Sequence, residues 1–316
     1  MARAPDGGLV DPHGGEADLR AGVLRHVSTA FAEDPLRVLR VARFAARFGF
    51  RIASETLGLM CDIVMRGELE TLAPERVWQE LSRGLCEAHP SRMLEALRAC
   101  DALVALLPEI DTLYRTSVTD ANARENDDAG AFTARALDWS AANGLELPAR
   151  YAVLTQELGR GAGGRGFDAR SGVARAEAMS GRLRVPLECR DAARLAVRWH
   201  RALVDVDMLA PAALLDLLLA TDALRRPERL DTLAAAAAAH AAAMDREPDA
   251  ARRVALLHEA LGVVRSVDAA TIARDAMHRA SGADGATRGD AIASALREAR
   301  LRALREWKAV RDRNAG

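Results

Sequence analysis

Residues 34–48 contain the pattern that most restricts the fold of this chain. Asp34 is a good N-cap residue, and Pro35 suits the first helical position, where its missing N–H would have no partner. Beyond them the apolar residues recur at helical spacing on one side and the arginines on the other. The apolar set is Val38, Val41, Ala42, Ala45 and Phe48, and the basic set is Arg37, Arg40, Arg43, Arg47 and Arg51. The stretch therefore predicts an amphipathic helix with one packed face and one cationic face.

Composition extends the helical prediction to the whole chain. Alanine, leucine and arginine dominate the 316 residues, aromatic residues make up only 4%, and strand-like alternation is missing from the long runs. The chain is therefore expected to be all-α. A formal net charge of -1 means that any nucleic-acid contact must come from local patches. Four cysteines without close spacing, together with no leader or long apolar segment, predict a cytoplasmic protein without zinc fingers or disulfides.

The start of the cationic helix also carries groups that can read a nucleobase. A carboxylate one turn before an arginine can accept from an exocyclic amino group while the guanidinium donates to a ring nitrogen or carbonyl. Cytosine and adenine both present such an edge, which makes Asp34, Arg37 and Arg40 candidate nucleotide-binding residues. The alternative is a helix whose Asp34 only caps and whose arginines are only solvated. Five arginines with few acidic neighbours favour the first interpretation.

These residues carry a resemblance to a known family. Glu33 to Arg40 resembles the Glu-Asp-x-x-Arg-x-x-Arg motif of bacterial CCA-adding tRNA nucleotidyltransferases, which selects CTP and then ATP. The segment 11–19 with 24–27 resembles the junction between the catalytic head and the helical neck of that family. Further similarity runs through 74–81, 90–93 and 106–109, and more loosely to 306–308. The resemblance implies a multi-helix neck and body, an HD-type domain and a helical tail, preceded by a short extended remnant of the head.

The resemblance also implies a domain order and several absences. The expected divisions are a head remnant and junction at 1–27, a neck and body at 28–115, an HD-type domain at 129–230 and a tail at 231–316, with a polar linker at 116–128. The family's Gly-rich turn and Asp-x-Asp magnesium pair, which two-metal chemistry needs, are not recognisable. Asp205-Val206-Asp207 is an isolated pair, expected to be solvated. No catalytic residue and no resident cofactor are therefore predicted, and Mg²⁺ is expected only with a head domain.

The HD-type domain is expected to be degenerate. Residues 151–161 resemble the segment that should contain the His-Asp metal-binding pair, but Gln156 and Glu157 stand in its place. An amide is a poor replacement for imidazole as a transition-metal ligand. The downstream histidines expected near 163–177 are also missing, and His200 is expected to be an isolated histidine. No metal site is predicted.

Three functions follow in order of preference. The first is the nucleobase-selecting neck and tRNA-binding body of a CCA-adding enzyme, with CTP, ATP and the tRNA acceptor arm as partners. Its expected RNA contacts come from the cationic helix and the basic last helix, and the candidate residues are Arg43, Arg47, Arg300 and Lys308. The second is a catalytically inactive helical protein that binds RNA or a partner. An active HD phosphohydrolase ranks last because its ligands are missing.

Overall fold

A computed structural model describes residues 2–3, 9–118, 128–161, 166–246, 249–280 and 285–315. Within these ranges the chain is mostly helical, as predicted. None of the described helices is long and apolar enough to cross a bilayer. By its contacts the chain divides into two compact units, residues 1–200 with 235–248 and residues 201–234 with 249–316. The domain divisions expected from the sequence stay predictions, and most of the expected linker, residues 119–127, lies outside the described ranges.

Among the described residues the strands form two pairs of two residues each, both in the first unit, and isolated β-bridges join Ser117 to Asp128 and Arg160 to Phe167. Strand β1 (Ala2–Arg3) pairs antiparallel with β2 (Leu9–Val10). Strand β3 (Val23–Leu24) pairs parallel with β4 (Arg51–Ile52), with Val23 opposite Arg51. The short extended N-terminal segment expected from the sequence is therefore present.

Ten helices precede residue 183 in the described ranges. They are α1 (Gly15–Ala21), α2 (Leu36–Phe48), α3 (Ser54–Met65), α4 (Pro74–Leu85), α5 (Pro90–Ala99), α6 (Ala102–Leu106), α7 (Pro108–Asp111), α8 (Ala129–Ala142), α9 (Leu147–Thr155) and α10 (Ala169–Arg182). Helix α2 packs against α4 and α5, and α8 packs against α5 and α9. A 3₁₀ turn, Gln156–Gly159, continues directly from α9 and packs against α10.

Six further helices complete the described chain. They are α11 (Leu187–Val204), α12 (Pro211–Ala220), α13 (Glu228–Ala243), α14 (Ala250–Arg265), α15 (Ala269–Arg279) and α16 (Gly285–Ala315). In the second unit, the long helix α16 packs against α12, α14 and α15. Its fully buried Leu304 belongs to the same apolar core as Leu256 and Leu257 of α14.

Candidate functional sites

The predicted base-reading residues lie together at the start of α2. The Asp34 Oδ1 atom accepts the backbone N–H of Leu36 at 3.1 Å, and Oδ2 lies 3.4 Å from Nη2 of Arg76 on α4. The Nη1 group of Arg37 donates to the carbonyl oxygen of Ala30. Arg40, one turn further on, is exposed and makes no hydrogen bond or ion pair with any described residue. Asp34 and Arg37 are thus oriented by local contacts, while the Arg40 guanidinium faces solvent.

Two details of the predicted helix need correction. The helix begins at Leu36, so Asp34 lies one position before the residue at the N-cap, Pro35, although its carboxylate still holds the Leu36 amide. The buried face consists of Leu36, Val38, Leu39, Ala42, Ala45 and Ala46. Phe48, expected on that face, has 49% of its surface exposed. At about 100° per residue Phe48 falls outside the arc that these six residues occupy.

The cationic face of α2 divides into engaged and exposed arginines. Nε of Arg43 donates to Oε2 of Glu80 at 2.7 Å, and Nη1 lies 3.3 Å from Oε1 of Glu87. The Arg43 side chain is only 12% exposed and Glu80 only 6%. Arg47 is exposed, with its guanidinium carbon 5.3 Å from the centre of the Phe48 ring. Arg40 and Arg47 are therefore the accessible cations of this face, and Arg43 is largely committed to α4 and the turn beyond it.

One of the two predicted RNA-binding residues of the last helix, Lys308, is engaged in contacts within the protein. Lys308 Nζ donates to the carbonyl oxygens of Asp207 at 3.0 Å and Leu209 at 2.5 Å. Arg300 is half-buried, and its Nε has no hydrogen-bond partner among the described residues. Both residues belong to α16, in the second unit. Their predicted contacts with RNA stay predictions.

The isolated Asp-x-Asp pair lies in that same unit, where a 3₁₀ turn spans Val206–Met208. Asp207 Oδ1 lies 3.1 Å from Nη2 of Arg311, and its Oδ2 contacts Arg252. The expectation of a simply solvated carboxylate is corrected here, because Asp207 is bound by two arginines.

A second site, not predicted from the sequence, is buried in the first unit. Glu157 lies in the turn after α9, His200 on α11 and His240 on α13. Oε1 of Glu157 is 3.1 Å from His200 Nε2 and 3.0 Å from His240 Nδ1, and these three side chains are at most 2% exposed. We call Glu157, His200 and His240 the Glu-His-His cluster. The prediction that His200 is isolated is therefore wrong.

The cluster is held by contacts on all sides. The Nδ1–H of His200 donates to the carbonyl oxygen of Ala196 at 2.8 Å, which leaves Nε2 directed at Glu157. Nε of Arg160 contacts the other carboxylate oxygen of Glu157. Phe167 packs on the His200 ring with centroids 5.3 Å apart, and Phe132 packs on His240 at 4.9 Å.

Burial acts to raise the pKa of Glu157, but the hydrogen bonds and charges of the two histidines outweigh it and hold that pKa well below its usual range.

The donor set of the cluster fits a transition metal better than magnesium. Two imidazoles and one carboxylate suit Zn²⁺, Ni²⁺, Co²⁺ or Fe²⁺, whereas Mg²⁺ takes oxygen ligands. Gln156 precedes Glu157, is fully buried, and has no hydrogen-bond partner for either amide atom among the described residues. Of the region where further histidines were expected, residues 163–165 lie outside the described ranges. The three side chains of the cluster are therefore of the kinds that ligate transition metals, although they include no His-Asp pair.

Sequence reasoning missed the cluster because His240 was placed in a different predicted domain. His240 interrupts a run of alanines at 234–243, which by itself predicts only a helix. One signal was available. A single polar residue within a run of alanines is expected to be buried with that run, and a buried imidazole needs a partner.

Comparison with solved structures identifies the fold class. A CCA-adding enzyme solved with CTP aligns with 94% of this chain and 63% of its own, with a TM-score of 0.54 and 19% identity. The Thermotoga maritima CCA-adding enzyme, solved with a tRNA, aligns with 96% of this chain at a TM-score of 0.50 and 20% identity. The fold is thus similar to that of CCA-adding enzymes over about two thirds of their length.

Sequence comparison identifies the family. The multifunctional CCA protein of Aromatoleum aromaticum is 47% identical over 293 residues, which cover 89% of this chain and 71% of the relative. That of Laribacter hongkongensis is 46% identical over 282 residues, covering 87% and 69%. Residues 49–113 match a family model described as a probable RNA and SrmB-binding site of polymerase A. The chain belongs to the bacterial multifunctional CCA protein family of tRNA nucleotidyltransferases, and it spans about two thirds of the length of these relatives.

Proposed function

We propose that this chain supplies nucleobase selection and tRNA binding to cytoplasmic CCA addition at the 3′ end of tRNA. Family membership supports the reaction, since relatives are named as multifunctional CCA proteins and similar structures were solved in complex with CTP, ATP or a tRNA. Nucleotidyl transfer itself, with its Mg²⁺ ions, we assign to a catalytic head domain and not to residues of this chain.

The arrangement at the start of α2 is the observation that carries this proposal. Local contacts orient the Asp34 carboxylate and the Arg37 guanidinium, and the exposed Arg40 lies one turn further along. Groups held in place before the ligand arrives lose little conformational entropy on binding. A carboxylate that accepts and guanidinium groups that donate match the edges of cytosine and adenine. CTP and ATP are the ligands that this pattern fits.

The surface available to RNA is the exposed part of the same helix. Arg47 presents a guanidinium group that suits phosphate oxygens. With a net charge of -1 the chain has no general basic field, so binding must depend on such local groups. We infer that the acceptor arm of tRNA lies along this face.

The test is nucleotide choice by a chimaera with the head domain of the Aromatoleum relative fused before Gly15. We expect it to add C and then A to tRNA lacking CCA, whereas the 316-residue polypeptide alone incorporates no labelled CTP. Asp34→Asn and Arg37→Ala should each lower the preference for CTP and ATP over UTP and GTP by about tenfold or more. The melting temperature of Asp34→Asn should hold, because the amide oxygen of Asn can still accept the Leu36 N–H and the Arg76 contact is exposed.

Arg190→Ala is the matched control, because Arg190 is an exposed arginine on α11 without an ion pair among the described residues. It should leave the preference unchanged. A lower melting temperature for Asp34→Asn with intact preference would show that Asp34 only supports the helix. The chain would then be better described by the second hypothesis, a catalytically inactive helical protein that binds RNA or a partner.

A further inference from the structure

Arg184, just beyond the C-terminal end of α10, has a backbone conformation that is unusual for its residue type. Its φ is 52°, in the left-handed region, where the Cβ of an L-residue is crowded and glycine is not. Three other described non-glycine residues have a positive φ, and all three are aspartates, which tolerate this region better. The Val185 N–H donates to the Ser180 carbonyl oxygen at 2.9 Å and the Arg184 N–H to that of Gly181 at 3.2 Å, a helix end that usually selects glycine. The turn alone therefore does not explain an arginine at this position.

The Arg184 guanidinium contacts α4 close to the base-reading residues. Its Nη1 lies 2.5 Å from Oε1 of Glu75, in the first turn of α4. The next residue, Arg76, has its Nη2 3.4 Å from the Asp34 carboxylate. Both arginines are open to solvent, since 68% of the Arg184 side chain and 51% of the Arg76 side chain are exposed. Two exposed guanidinium groups thus lie at the start of α4, beside Asp34.

The backbone that carries Arg184 is fixed from both sides. Leu183 before it and Val185 after it are buried. Nη1 of Arg182 donates to the carbonyl oxygen of Leu106 at 2.6 Å and so ties the end of α10 to α6. A side chain on such a fixed turn stays near one position on the surface, and a group held in place loses less conformational entropy when it binds a ligand.

The contacts of Arg184 within the protein are too weak to account for its conformation. An exposed ion pair such as the one with Glu75 contributes little to stability, and salt screens the attraction between a solvated cation and the end of a helix. A guanidinium has five N–H donors, and the Glu75 contact leaves most of them free for a further acceptor. Phosphate oxygens are the acceptors that a planar, multi-donor cation suits best at an RNA-binding surface.

We propose that Arg184 binds a backbone phosphate of tRNA at the edge of the base-reading site. The inference rests on the function proposed above and adds a new segment to the RNA-binding surface. Arg184 lies within residues 129–230, predicted from the sequence to be a degenerate HD-type domain, and none of the RNA-binding residues predicted from the sequence belongs to that segment. The segment then has a role in tRNA binding that needs no intact His-Asp pair.

Arg184→Gly tests the proposal, because it removes the guanidinium and the left-handed strain together. We expect it to bind tRNA lacking CCA about tenfold more weakly, with a melting temperature that is unchanged or higher. The slope of log K against log salt should fall by about 0.7–0.9, the loss of one phosphate contact. Arg184→Lys keeps both the charge and the strain and should keep that slope. Fluorescence anisotropy of the full chain over a salt series measures affinity and slope, and circular dichroism measures the melting temperature.

Arg170→Ala is the matched control, since Arg170 is exposed at the start of α10, about 21 Å of helix away from Arg184, and has no ion pair with a described residue. It should bind tRNA as the wild type does. In the chimaera, Arg184→Gly should keep the preference for CTP and ATP, because Arg184 does not read the base.

The outcomes separate this inference from the function proposed above. If the wild type binds tRNA and Arg184→Gly binds it with the same affinity and salt slope, the inference is overturned and the proposed function stands. A lower melting temperature for Arg184→Gly with an unchanged slope would show that Arg184 only closes the helix. Failure of the wild-type chain to bind tRNA would overturn both.

Discussion

Arg43 and Arg47 are one turn apart on α2, but their surroundings give them different physical roles. Arg43 neutralises Glu80, whose side chain is 6% exposed, whereas Arg47 is open to solvent. Removing one partner of a buried ion pair leaves an uncompensated charge, which costs more than the pair itself contributes. We therefore expect Arg43 to contribute to the stability of the fold and Arg47 to contribute to RNA binding.

Arg43→Ala should lower the free energy of unfolding by about 3 kcal/mol, because Glu80 is left buried without its main partner. Arg47→Ala should change it by less than about 0.5 kcal/mol, as surface substitutions usually do. Urea denaturation followed by circular dichroism measures both. Adding Glu80→Gln to Arg43→Ala should recover part of the loss. Equal stability of the two single variants would contradict the buried role of Arg43.

At the scale of elements, the position of Glu157 depends on the close approach of α10 to the turn at 156–159. A Cβ atom added to Gly172 of α10 would lie 2.6 Å from the backbone N and Cα of Gly159. Backbone atoms cannot rotate away as a flexible side chain can. Gly172 is therefore what allows the helix to pack directly on the turn that carries Glu157.

Gly172→Ala should destabilise the protein by about 1–3 kcal/mol, even though alanine is the better helix former. Gly181→Ala in the same helix should instead be neutral or stabilising by up to about 1 kcal/mol, since no atom lies within 4 Å of an added Cβ. Thermal and urea unfolding of these two variants separate the effect of the steric contact at Gly172 from the effect of helix propensity. Stabilisation by Gly172→Ala would mean that the turn and α10 are not in close contact.

Local sequence patterns predicted where the helices of this chain lie better than they predicted which of their residues are buried. The helical spacing of residues 34–48 was sufficient to predict α2, because a two-faced pattern is set by the residues of one helix. It misplaced Phe48, which at about 100° per residue lies outside the arc of the buried residues of α2. His200 and His240 could not be paired from the sequence, because two helices distant along the chain bring them together. Sequence motifs reveal functional residues that lie close together along the chain, but they do not reveal residues that only folding brings together.

At the scale of the whole molecule, a net charge of -1 restricts how the chain can bind RNA. A protein without a general positive field binds through the few cations that reach phosphates, and each such contact releases counterions. Of the residues predicted to contact RNA, Arg47 is exposed. Lys308 instead donates to the carbonyl oxygens of Asp207 and Leu209. The salt dependence of tRNA binding should therefore distinguish these two residues.

Arg47→Ala should weaken tRNA binding and reduce the slope of log K against log salt by about 0.7–0.9, the loss of one phosphate contact. Lys308→Ala should leave that slope unchanged and lower the melting temperature, because two carbonyl groups lose their donor. Fluorescence anisotropy with a tRNA lacking CCA, over a series of salt concentrations, measures the slopes. A reduced slope for Lys308→Ala at unchanged stability would mean that its ammonium leaves the carbonyls to bind phosphate, which would restore Lys308 to the RNA-binding surface.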